Sequence, residues 1–136
     1  MANTPGQGPL SPYPDKEFKQ FLAGEAISKG DWVTYLDAST TGYTIQKLDT
    51  DDTNKISFGG VAAEDIASGS WGRVQIAGFC DYFTTDGNIA AGSPITATAT
   101  AGACGVGTVG THDIMGIALA ADSSTTCTAG IIFKRL

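Results

Sequence analysis

Gly105, Gly107 and Gly110 stand in the spacing G-x-G-x-x-G, with which a tight turn opens onto a helix and seats a pyrophosphate on backbone amides. That chemistry also needs a helix after the turn and an acidic residue about twenty positions on. Gly116 interrupts the stretch where the helix would run, and no acid stands at that distance, so a Gly-rich loop is expected and no cofactor. The single histidine, His112, adjoins Asp113, with Cys104 nearby in sequence. Nucleophilic catalysis would need Cys104 or a serine to meet the imidazole beside an oxyanion hole, and nothing in the sequence supplies one. Asp49, Asp51 and Asp52 suggest calcium, yet an EF-hand loop wants Gly at its sixth position and Glu at its twelfth, where Asn54 and Gly60 stand. Glu64 and Asp65 are adjacent, and neighbours on a strand point to opposite faces, so they read as surface charges beside a turn. Cys80, Cys104 and Cys127 are too widely spaced for a C-x-x-C site and are expected to be small buried apolar residues. Trp32 and Trp71 have indole faces that could stack on sugars, but core or subunit packing is the expected role. Neither catalytic residues nor a metal site are expected.

The elements that must carry these residues are strands. A chain of 136 residues suits one domain with one modest core, small enough to gain stability from association. Eighteen glycines and few runs of strong helix formers oppose a helical bundle. A formal charge of −6 opposes attraction to a phosphate backbone, so nucleic acid is not an expected partner. No run of about 18 apolar residues could span a bilayer, and the first residues lack the basic and apolar regions of a signal peptide. No membrane partner is expected, and synthesis in a cytoplasm is.

Three stretches repeat one pattern: residues 27–33 (ISKGDWV), 66–74 (IASGSWGRV) and 89–95 (IAAGSPI). Each sets an apolar residue and two small or polar ones before Gly and then Asp or Ser. Glycine supplies the positive φ of a tight turn, so each copy should launch a strand. Strands are expected at residues 32–36, 43–48, 58–63, 72–77, 78–83, 94–99, 114–120 and 129–134. A longer echo links residues 60–65 and 73–76 with residues 116–122 and 130–133, each half reading as a small-residue strand, a polar turn and an apolar strand.

Four of the five prolines, Pro5, Pro9, Pro12 and Pro14, crowd the first 14 residues, where fixed φ and missing donors bar a helix or a central strand. Residues 15–24 (DKEFKQFLAG) can form a short helix with Phe18, Phe21 and Leu22 on one face. The expected division is an extended Pro-rich arm over residues 1–22, with that helix, and a β-rich domain over residues 23–136. Leu10, Tyr13, Phe18, Phe21 and Leu22 would anchor an arm that is mobile in the free protein and orders on a neighbouring subunit or a partner's surface. Trp71 joins them as a candidate contact.

Residues 60–78 (GVAAEDIASGSWGRVQIAG), 89–95 and 115–122 (MGIALAAD), in this order and spacing, resemble the capsid decoration, or cement, proteins of tailed bacteriophages. The resemblance covers roughly residues 24–134; the Pro-rich arm and the aromatic stretch at residues 79–83 (FCDYF) depart from it. It implies an all-β fold, a small antiparallel β-barrel or sandwich with at most one or two short helices. It also implies a homotrimer on the outer surface of a phage head that binds the major capsid protein and clamps neighbouring capsomers. The alternative reading is a carbohydrate-binding or host-attachment module of a virion, using Trp71 or the aromatic stretch.

Overall fold

The computed structural model describes residues 15–36, 43–49 and 60–134, so Leu10, Tyr13 and the Pro-rich residues 1–14 lie outside it. The described residues hold eleven strands and no helix. Five of them close on themselves: β1 (Glu17–Ala23), β3 (Thr44–Lys47), β2 (Trp32–Tyr35), β4 (Gly60–Ala62) and β5 (Trp71–Cys80), with β5 pairing back to β1. The all-β expectation holds, and its barrel form is this ring. All its pairings are antiparallel except β1 with β3.

Beyond the ring, the far end of β5 carries a second sheet in the order β5, β11 (Gly130–Ile132), β9 (Gly116–Ala118), β7 (Pro94–Ala97) and β8 (Cys104–Val106). A short pair, β6 (Phe83–Thr84) with β10 (Thr126–Cys127), lies beside it, and Thr85 bridges to Cys104 on β8.

Alternation along the strands builds two cores. Phe21, Val33, Ile45, Ala62, Ile66, Val74 and Ile76 fill the barrel. Trp32 and Val61, on the opposite faces of β2 and β4, join Phe83, Ile95, Cys104 and Met115 in a second core. The wall formed by β2 and β4 is thus covered on both sides, as the apolar residues on both faces of residues 32–36 imply. Trp32 meets Phe83 edge to face, ring centroids 5.7 Å apart. Full burial of side chains of this size stabilises by about 1.5–3 kcal/mol each.

All three repeated stretches launch strands. Gly30, Gly69 and Gly92 have φ of +90°, +80° and +85°, and a strand begins two residues after each. In every copy the amide after the glycine donates to the carbonyl three residues back: Asp31 to Ser28 at 3.0 Å, Ser70 to Ala67 at 3.0 Å and Ser93 to Ala90 at 3.2 Å. Glycine at the third position of such a turn is what a type II turn requires. A fourth copy, unmarked by flanking apolar residues, sits at Gly102, φ +80°, with Ala103 donating to Thr100 at 3.1 Å ahead of β8.

The longer echo is a repeat of architecture. The order β3-β2-β4-β5 recurs as β8-β7-β9-β11. Trp32 and Val33 face Val61 and Gly60 as Pro94 and Ile95 face Ile117 and Gly116. Val33 faces Lys47 as Ile95 faces Val106. On the outer strands Val74 faces Ala62 as Gly130 faces Ala118, so Arg73 corresponds to Ala129, one residue from the alignment the sequence echo suggests.

Two expectations are corrected. Residues 15–24 form no helix: Glu17–Ala23 is β1, with Phe21 and Ala23 turned into the barrel and Phe18 and Leu22 outward. The spacing of Phe18, Phe21 and Leu22 fits a helix face, but pairing along β5 and to β3 satisfies the backbone as a strand. The strands expected at residues 72–77 and 78–83 are in the main one strand, β5, that passes through Gly78 without ending. Gly78 has φ +91°, and any Cβ there would collide with the Asp15 carbonyl, so glycine lets the start of the first strand lie on β5.

Candidate contact surface

Of the four candidate contact residues within the described range, three, Phe18, Leu22 and Trp71, lie on the outside of the barrel. Leu22 on β1 pairs with Trp71 on β5 and with Thr44 on β3, and its amide donates to the carbonyl of Tyr43, just before β3, at 2.9 Å, which brings Tyr43, Leu22 and Trp71 side by side. The Tyr43 and Trp71 rings are 5.1 Å apart and tilted by 33°. Trp71 is 54% exposed and Tyr43 41%, while Leu22 between them is half-buried. One turn of alternation further along β5, the Arg73 guanidinium lies 5.5 Å from the centre of the Phe18 ring, itself 43% exposed. Glu64 holds this arginine, accepting at 3.2 Å from both its Nε and its backbone N–H. The result is an aromatic strip pinned by one cation.

Phe21 does not belong to it. The ring is 4% exposed in the barrel core and meets Tyr35 edge to face at 6.0 Å. Its neighbours Gln20 and Leu22 face out, so the strand pleat, three residues from Phe18, sends it inward. Tyr43 and Arg73 escape sequence reasoning as contacts because the pairings of β1 with β3 and β5, which the sequence does not announce, bring them to Trp71 and Phe18.

The chemistry-bearing types are dispersed. His112 is exposed, and its Nδ1 accepts from the Thr108 backbone at 2.8 Å. Cys104 is fully buried, and burial pushes its thiol up, the reverse of what a nucleophile needs, outweighing the Trp32 indole, which pulls the other way. That indole N–H is itself buried with no hydrogen bond of good geometry, so a weak N–H to sulfur contact is the reading that fits both observations. Gly105 lies within β8, and residues 108–113 form a turn where a dinucleotide site would place a helix. Asp65 accepts from the Lys29 amide at 2.8 Å and so, like Glu64, ties one turn to another element. Asp51 and Asp52 lie outside the described residues. Among the described residues no group of three or more His, Cys, Asp or Glu could hold a metal ion. Cys80, Cys104 and Cys127 are free buried thiols. Burial raises Cys80 to about 11, and its sulfur contacts the Tyr82 carbonyl at 3.4 Å.

The fold is similar to that of the N base of the head fiber gp8.5 of bacteriophage phi29. The superposition covers 90% of this chain and 98% of that crystal structure's chain, with a TM-score of 0.60 and 15% sequence identity. At this identity the similarity is one of fold. The sequence matches no protein-family model and no curated protein. The aromatic strip lies on the closed barrel.

Proposed function

We propose that the protein is a structural virion protein that sits on the outer surface of a phage head as a homotrimer and clamps neighbouring capsomers through the major capsid protein. The observation that carries this reading is the fold similarity to a head fiber base over nearly the whole of both chains. The sequence resemblance to decoration proteins points to the same setting. The barrel adds a means of attachment: Trp71, Tyr43 and Phe18 leave apolar area in water that an interface core would bury, and aromatic side chains with an arginine are the types that dominate such contacts. In this reading the protein works by binding alone, without catalysis, cofactor or metal, and without nucleic acid or membrane as partners.

A host-attachment or sugar-binding role is the second reading, and the exposed Trp71 favours it. The 33° tilt between Tyr43 and Trp71 gives a wedge rather than a flat platform, which suits a protein contact better than a sugar ring. Cosedimentation separates the two. Mixed with heads that lack it, the protein should pellet with them at saturable stoichiometry in multiples of three; a protein that stays in the supernatant while binding glycans would support the second reading.

A further inference from the structure

A groove of about 160 Å³ follows the outer side of β5, between β1 and β4. Three of the chain's eight basic residues, Lys16, Lys29 and Arg73, line it with one acid, Asp81, although the chain as a whole carries −6. Phe18 and Tyr82 form apolar walls between them. The floor is fixed: Gln75 is 5% exposed and donates its amide to the carbonyls of Ala77 at 3.1 Å and Phe79 at 2.7 Å. The walls are held too, because Tyr82 packs against Gly30, where a Cβ would strike its ring, and the Lys29 ammonium lies 5.3 Å from the ring centre.

The cations are not locked. Lys16 meets Asp81 at 3.7 Å and Arg73 meets Glu64 at 3.2 Å, but all four side chains are well exposed, and pairs of that kind exchange readily with an incoming carboxylate. Lys29 has an aromatic face beneath it and the Asp65 carboxylate on its backbone amide.

We propose that this groove binds an acidic, extended peptide segment of a partner protein, with its carboxylates on Lys16, Lys29 and Arg73 and an apolar side chain against Phe18 and Tyr82. Charge complementarity selects the occupant. Three cations around one groove, from the start of β1, the turn before β2 and β5, against the single carboxylate of Asp81 in its lining, match a short carboxylate run, whereas a long polyphosphate would extend past them onto the net negative surface of the chain. The inference concerns the free protein and stands whether or not the protein attaches to a head.

Fluorescence anisotropy tests it with a labelled glutamate hexapeptide, its glutamine and lysine counterparts, and a thymidine oligonucleotide of matched charge. The glutamate peptide should bind most tightly and weaken as salt rises. The Lys16→Glu/Lys29→Glu double variant should lose at least tenfold in affinity, and Tyr82→Ala should lose several-fold toward a glutamate peptide carrying one phenylalanine. Lys19→Glu, on the opposite side of β1, should change it less than twofold, and its circular dichroism and that of the double variant should match the parent. The proposal is overturned if the glutamate peptide does not bind, if the double variant binds it unchanged, or if the oligonucleotide binds the groove as tightly.

Discussion

Ile27 and Ile66, from two copies of the same turn pattern, exchange both backbone hydrogen bonds, Ile27 N–H to Ile66 at 2.9 Å and Ile66 N–H to Ile27 at 2.8 Å. The relation extends outward symmetrically. Gly30 donates to Ala62 and Gly69 to Ala23, while Ala62 donates to Asp31 and Ala23 to Ser70. Gly92 and Ala118 repeat the same exchange in the second sheet, with Ser93 as the acceptor of the Ala118 amide. The turns are thus joints that tie a strand start to the end of another strand. Ile66→Ala should cost about 2–5 kcal/mol, because it empties a core position at the joint. Chemical denaturation would check this; a loss under about 1 kcal/mol would mean that the joint does not help to hold the barrel.

Phe18 and Phe21 should behave oppositely. Phe21→Ala leaves a cavity in the barrel and should destabilise the fold by about 3–5 kcal/mol, whereas Phe18→Ala removes an exposed ring and its arginine contact, for about 1 kcal/mol or less. For head binding the order reverses: Phe18→Ala and Trp71→Ala should each lower affinity about tenfold or more with little change in melting temperature. Equal thermal loss in Phe18→Ala and Phe21→Ala would contradict the placement of β1.

Much of this was legible from the chain because turn chemistry is local: Gly30, Gly69 and Gly92 declare themselves by the apolar and polar residues around them. Gly102 makes the same turn inside a run of small residues and carries no such signal. β1 was illegible for a different reason. Phe18, Phe21 and Leu22 satisfy helical and strand spacing alike, and only the distant partners Trp71 and Thr44 decide between them. The same long-range pairing creates the contact surface, so Tyr43 beside Trp71 could not be read from residues nearly thirty positions apart in sequence. Gly78 misled in the other direction, as its positive φ marks a close approach within one strand rather than a boundary.

The three thiols should be silent in the folded protein. All are buried out of reach of a reagent, and burial also pushes Cys80 to about 11 and raises Cys104, so those two hold little thiolate at pH 8. A disulfide reagent should titrate no cysteine in the native state and all three after unfolding. Rapid modification of one thiol in the native protein would show that the second core opens.

Asp31 gives the stability a pH dependence of definite sign. Burial holds its carboxyl above the ordinary carboxylate value, outweighing the Ser28 N–H at 2.9 Å and the Lys47 ammonium at 3.9 Å. Between the ordinary value, about 4, and the raised one, the folded chain binds more proton than the unfolded chain, so this group's contribution falls as pH rises through that window. Asp31→Asn keeps an acceptor for Ser28 and removes the charge. Relative to the parent it should gain stability as pH rises through the window and then hold level. Melting curves from pH 3 to 8 would show this; a variant that loses ground as pH rises would show that the ion pair with Lys47 outweighs burial.

Attachment to a head by the aromatic face of the barrel is the central claim, and a single-particle map of heads reconstituted with the protein tests it most directly. The expected map shows three copies together on the outer surface where capsomers meet, with Phe18, Tyr43 and Trp71 buried against coat or neighbouring subunit. Heads that carry no added density, or copies bound with that face open to solvent, would contradict it.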